Sequence, residues 1–216
     1  MKKYTYLFII ALCVLGSSCT MMVKGIAKLL VKDYNDYTDT YISDIQIVDA
    51  DGSNHSFGSL YRGKTVYLYV WGNKKLSVQQ EKSYRLLKER FAKYSDVIFA
   101  SLYVGSDTSS TNKLGADVSS AKFHKILAIG DPAPFIIGKD GAILAYKGPK
   151  PDDKIIVDYV LYQAMEGENG TKSAKRFIRG INGNNQFKSP KLIEWYTSHF
   201  GKAPDHKLNM SLSSTN

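Results

Sequence analysis

Apolar positions in this chain fall into short runs of two kinds. About four to eight consecutive apolar or β-branched residues between turn signals read as strands, and apolar residues roughly three or four apart read as helix faces. On the first pattern Ile45 to Val48, Thr65 to Trp71, Val97 to Val104, Phe135-Ile136-Ile137 and Ala142 to Tyr146 are strands, punctuated by turns at Asp51-Gly52 and Asp140-Gly141. On the second, a helix runs from about Ser77 to Tyr94 with Tyr84, Leu87 and Phe91 along one face. Another runs from Asp152 to Met165 with Ile155, Ile156, Tyr159 and Val160 facing inward. Ser77, with Gln80 three residues on, has the form of a capping box that starts the first of these helices. A polar loop and a short helix lie between Val104 and Phe135. The order β-β-α-β-α-β-β-α sets helices against a mixed sheet, an α/β domain.

The same pattern sets the boundaries. Residues 1–18 read as a secretory signal: Lys2 and Lys3, an apolar run from Tyr4 to Leu15, then Gly16-Ser17-Ser18. The run is too short to span a bilayer, which takes roughly twenty residues. Leu15, the small residues and Cys19 together resemble the lipobox of bacterial lipoproteins, although Leu15 lies four residues before the cysteine rather than three. That resemblance implies cleavage before Cys19, acylation of its thiol and a stable membrane anchor, since two or more acyl chains hold where one does not. Thr20 follows with no acidic cluster, which by resemblance to known sorting rules places the chain on the outer membrane, facing the periplasm. A soluble secreted product cut near the same place is the alternative. Residues 19–42 then form a tether, with a short amphipathic piece from Val23 to Val31 and a Tyr/Asp/Thr-rich linker. The compact pattern occupies 43–165, and Glu166-Gly167-Glu168-Asn169-Gly170 is a turn-rich break. Residues 166–216 are a helical extension: a helical patch, a loop from Gly180 to Asn185, and a helix from Lys188 to Phe200 with Pro190 tolerated in its first turn. Leu208 to Asn216 is expected to fray.

Charge adds one feature. The chain carries a formal +9, and from Thr171 onward eight Lys and Arg face only Glu194 and Asp205. The extension is therefore basic, suited to an anionic membrane surface or an acidic partner. Nucleic acid is excluded as a partner for an exported chain. Cysteine usage is more decisive. Cys13 lies in the signal and Cys19 at the anchor, so the domain itself has neither a thiol nor a disulfide. His55, His124, His199 and His206 are scattered without ligand spacing, and no Gly-rich phosphate loop appears, so neither a metal nor a cofactor is expected. Fifteen tyrosines serve equally well as core filling or as recognition surface.

Residues Asp51-Gly52, then Leu60-Tyr61-Arg62-Gly63-Lys64-Thr65-Val66, then a strand ending in Trp71-Gly72, resemble the opening of periplasmic thioredoxin-like proteins of the TlpA/ResA type. There an acidic-Gly pair precedes Leu-x-Gly-Lys-x-Val and a strand ending in Trp-Ala; this chain has one extra residue between Leu60 and Gly63. Pro132-Ala133-Pro134-Phe135-Ile136-Ile137 followed by Asp140-Gly141 is similar to the family's cis-proline segment and its hairpin. The resemblance spans residues 43–165 and implies a three-layer thioredoxin-like fold, a mixed sheet flanked by helices.

The same resemblance marks where the family's chemistry is missing. Relatives place Cys-x-x-Cys at the start of the long helix, where the helix N-terminus favours the attacking thiolate and the second cysteine resolves the mixed disulfide. Counted from Trp71, those positions hold Lys75 and Val78, neither of which forms a mixed disulfide. The resemblance implies a peptide groove at Trp71, Lys75, Val78, Asp131 and Pro132, with a cis bond before Pro132. The expected function is a redox-inactive module that binds a protein or peptide, not an enzyme. The alternatives are an enzyme of non-thiol chemistry on the same fold and a structural protein docking on anionic membrane.

Overall fold

A computed structural model describes residues 31, 34, 36–49, 51–72, 74, 76–105, 113–115, 118–127 and 131–210. The signal, Cys19 and most of the tether lie outside the described residues, as does Lys75. The elements in chain order are β1 (Gln46–Val48), β2 (Asn54–Ser56), α1 (Phe57–Tyr61), β3 (Thr65–Trp71), α2 (Val78–Arg90), β4 (Val97–Tyr103) and β5 (Lys113–Leu114). They continue with α3 (Val118–Leu127), β6 (Ala133–Ile137), β7 (Ile143–Ala145), α4 (Ile156–Ala164), α5 (Gly170–Arg179) and α6 (Pro190–Phe200).

The sheet runs β2-β1-β5-β4-β3-β6-β7. At its centre β3 and β4 are parallel, joined through α2, while β6 and β7 follow antiparallel beside β3. A β-α-β unit followed by a β-hairpin and a helix, all on one mixed sheet, is the thioredoxin-like arrangement. Six of the seven β3 residues are buried, as a strand covered on both faces requires. Alternation sorts its side chains. Val66, Leu68 and Val70 join Phe57 of α1, Phe123 of α3 and Phe135 in one core layer. Tyr67 and Tyr69 join Leu87 of α2, Val160 of α4, Phe177 of α5 and Trp195 of α6 in the other. The fold is thus a three-layer α/β sandwich, and the C-terminal helices form part of one layer.

Ser77 and Gln80 form the expected capping box: Ser77 accepts from the Gln80 N–H, and the Gln80 side chain accepts from the Ser77 N–H. The helix ends at Arg90, short of the expected Tyr94, with turns completing the stretch. The helix expected from Asp152 begins at Ile156. Lys150 N–H donates to Asp153 Oδ2 at 2.7 Å, fixing a turn, and Ile155 sits at φ 68°, unfavourable for a β-branched residue. Pro190 lies in the first turn of α6, as read from sequence, and Gly201 closes that helix in the left-handed conformation.

Two segments are more structured than their composition indicates. Ile42 N–H donates to Gly141 O, Ile143 N–H to Thr40 O and Tyr146 N–H to Tyr34 O, so the chain from Tyr34 to Ile42 lies along the outer side of β7. Thr171 Oγ1 donates to Val31 O at 3.0 Å, and both Val31 and Tyr34 are fully buried. The end of the stretch expected to be a tether, with its amphipathic piece and linker, therefore covers a sheet edge that would otherwise present unpaired backbone. At the other end Leu208 is buried and its N–H donates to Asn185 O at 2.8 Å. The fraying expected from Leu208 is corrected to that extent: burial of its side chain against the α4–α6 layer holds the chain there.

Candidate functional site

The C-terminal ends of the parallel strands β3 and β4, and the chain leading into β6, meet at one end of the sheet. Trp71 closes β3 and Tyr103 closes β4, with ring centroids 4.7 Å apart and a tilt of 53°. Trp71 O accepts the Val104 N–H, which fixes the indole-bearing backbone to the neighbouring strand. Val70 pairs with Ala133 in the antiparallel register, and one further step brings Trp71 level with Pro132. The sequence-predicted positions Trp71 and Pro132 are thus brought together. Tyr103 was not foreseen; its place at the end of an apolar strand parallel to β3 was the signal available.

The bond before Pro132 is trans, since no cis peptide occurs among the described residues. This corrects the expected cis bond. Ala133 is already paired with Val70, so the chain runs into β6 extended and needs no tight turn at Pro132. Trans is also the ordinary preference of an X-Pro bond.

Val78 is the first residue of α2 and 83% exposed, an unusual setting for a valine at this end of the sheet. Across from it, Lys74 Nζ lies 2.6 Å from Asp131 Oδ1. This ion pair ties the loop before α2 to the loop before β6. The Lys74 hydrogen bond and its charge hold the Asp131 carboxyl below the usual carboxylate range. Both side chains are largely exposed, so the pair is a solvent-screened strap, easily opened, and not a structural staple. Lys75 falls outside the described residues. Ser77 is occupied by its capping bonds, which leaves its hydroxyl in a structural role.

Taken together, the site offers the half-buried Trp71, backed by the buried Tyr103, an exposed aliphatic residue and a removable ion pair around a strand terminus. Such a surface suits side-chain packing and backbone pairing with an extended segment.

A second polar cluster was invisible to sequence reading. Asp158 of α4 is buried and receives Arg90 through Nε at 2.6 Å and Nη2 at 3.0 Å. His199 Nε2 lies 3.0 Å from the same carboxylate, and its Nδ1 lies 3.0 Å from Tyr94 Oη. Lys93 donates to the Ser198 and His199 carbonyls, satisfying the end of α6. The fully buried His199 ring stacks on Trp195 and Tyr94. The arrangement joins α2, α4 and α6 and serves as a clamp for the C-terminal helix.

No protein-family model matches the chain, and no curated protein matches it. Several solved structures are similar to part of the chain at low identity. A Sco-family cytochrome c oxidase assembly protein, BsSco, is 14% identical over 66% of this chain and 98% of its own, with a TM-score of 0.44. The thioredoxin domain of a thiol-disulfide oxidoreductase from Bacteroides vulgatus is 18% identical over 50% and 86%, with a TM-score of 0.35. A thiol-disulfide oxidoreductase from Bacteroides fragilis is 18% identical over 49% and 88%, with a TM-score of 0.36. The class of the fold, thioredoxin-like, rests on the strand order and connections described above.

Proposed function

We propose that this chain is a lipid-anchored protein of the bacterial cell envelope whose thioredoxin-like domain binds a peptide or protein without thiol chemistry. The observation that carries the reading is the pair Lys75 and Val78 at the two positions where the resemblance puts cysteines, in a chain whose only cysteines are Cys13 and Cys19. Thiol–disulfide exchange proceeds by thiolate attack through a mixed disulfide, and neither Lys75 nor Val78 supplies a sulfur. The exposure of Val78 and the half-buried Trp71 at the strand end support a surface kept for contact. Acylation of Cys19 supplies the anchor; no described helix is long and apolar enough to cross a membrane. Placement on the outer membrane, facing the periplasm, belongs to the same proposal.

The test restores the chemistry in one arm and reads binding in the other. The full chain is expected to reduce a disulfide substrate no faster than background, while a Lys75→Cys version, which keeps Val78 and so has no resolving cysteine, attacks a disulfide of a groove-bound partner, expels one partner thiol and stays joined to it as a mixed disulfide. A Lys88→Cys version, placed farther along α2, controls for chance capture. Reductase turnover by the unaltered chain sinks the thiol-free reading. Identical captures by the groove and control versions sink the groove.

A further inference from the structure

We infer that the outward face of α5 and the start of α6 is a docking surface for an anionic lipid bilayer, laid against it by the same anchor that tethers the chain. The inference rests, for the anchor alone, on the acylation of Cys19 in the proposed function.

The face is built by amphipathic folding. Ala174, Phe177 and Ile178 turn α5 toward the core, which leaves Lys172, Arg176 and Arg179 exposed and Lys175 half-buried. Two of these cations are already engaged, for Lys172 and Arg176 both pair with Glu168. Lys175 and Arg179 are one turn apart and therefore neighbours on the helix surface. The chain then brings two more cations to the same corner. Lys188 N–H donates to Gly180 O at 2.9 Å, beside Arg179. Gly180 lies so close to Leu192 that an added Cβ would fall 2.1 Å from its Cδ1, which holds the adjoining Lys191 near. Lys188 and Lys191 are both exposed. Among the described residues none of Lys175, Arg179, Lys188 and Lys191 has a carboxylate partner. Glu194 is the only acidic residue in the sequence from Thr171 to Pro204.

An unpaired basic cluster alone has many suitors. What commits it to a bilayer is where the tether arrives. Thr171, in the first turn of α5, holds the Val31 carbonyl, so the chain leading from Cys19 ends against the helix that carries the basic face. Eleven residues lie between Cys19 and Val31, and the twelve steps reach at most about 40 Å. A tether of that reach, joined to α5 itself, lets the α5–α6 corner come down to the headgroups, where basic residues are drawn to anionic lipid within about a Debye length.

The experiment uses the full acylated chain mixed with vesicles of phosphatidylcholine alone or with phosphatidylglycerol added. Flotation reports attachment, and amine labelling read by mass spectrometry reports which lysines are covered, with Lys88 and Lys125 as references. Anionic vesicles are expected to protect Lys175, Lys188 and Lys191, and with them Lys172 on the same exposed side of α5, by about fivefold or more over neutral ones. Salt at about 0.5 M should remove that protection. A Lys175→Glu/Arg179→Glu/Lys188→Glu/Lys191→Glu version, checked for an unchanged thermal transition, should lose the protection at Lys172. Flotation with both vesicle types but equal labelling overturns the docking and leaves the anchor standing. Flotation and protection on anionic vesicles alone support the docking and remove the anchor. Failure to float with either overturns both.

Discussion

Asp158 shows how much one side chain can hold. It is 1% exposed and serves Arg90 and His199 together. Removing one partner of such a buried pair leaves the others without compensation, which costs about 3–5 kcal/mol. Asp158→Ala is therefore expected to lower unfolding free energy by about that amount in urea titrations. A loss under about 1 kcal/mol would mean the cluster is not a clamp. Asp131 behaves differently because it is exposed. Its folded-state pKa is depressed, so the Lys74–Asp131 strap is fully present above 3.8 and is lost as pH falls through the lower folded value. The carboxyl carbon shift of Asp131 should titrate with a midpoint below 3.8, and Lys74→Ala should return it toward 3.8. A midpoint at or above 3.8 in the unaltered chain would contradict the strap. The sequence shows neither partnership: Asp158 and His199 lie 41 residues apart, and Lys74 and Asp131 lie 57 apart, distances at which no local pattern speaks.

At the scale of elements, periodicity and cap chemistry were good guides where the element is local. The β3 run, the Ser77–Gln80 box and Pro190 at the start of α6 all form as their residues dictate. They mislead where long-range contact decides. Val31 read as the end of an amphipathic piece and the residues after it as linker, rich in Tyr, Asp and Thr, yet Val31 and Tyr34 are buried and the backbone pairs along β7. Tyr34→Ala is expected to destabilise the domain by about 3–5 kcal/mol, the range for truncating a buried aromatic. It should also raise hydrogen exchange at the Ile143 and Tyr146 amides. A change in neither would show that the segment is dispensable. Positive φ at Ile155 likewise delayed α4 beyond any signal in its composition.

For the whole molecule, the central strands and helices were legible along the chain because each is local, and the resemblance at Asp51 to Trp71 and Pro132 to Gly141 implied the thioredoxin-like fold; β2, the short β5 and the strand order in the sheet needed the structure. The packing of α5 and α6 into the main core was not legible, since a basic helix with a narrow apolar face looks the same attached or free. The proposed groove lay between these cases. Its positions could be counted from Trp71, but the buried Tyr103 behind Trp71 and the Lys74–Asp131 strap needed the fold. A domain without thiols that keeps this surface should bind through it. The direct test measures the affinity of the trapped partner for the unaltered chain and for a Val78→Asp/Asp131→Lys version, both changes being at exposed positions. Binding about tenfold weaker or worse, a loss of about 1.4 kcal/mol, is the predicted result. Equal affinity for the two chains would contradict the groove as the binding site.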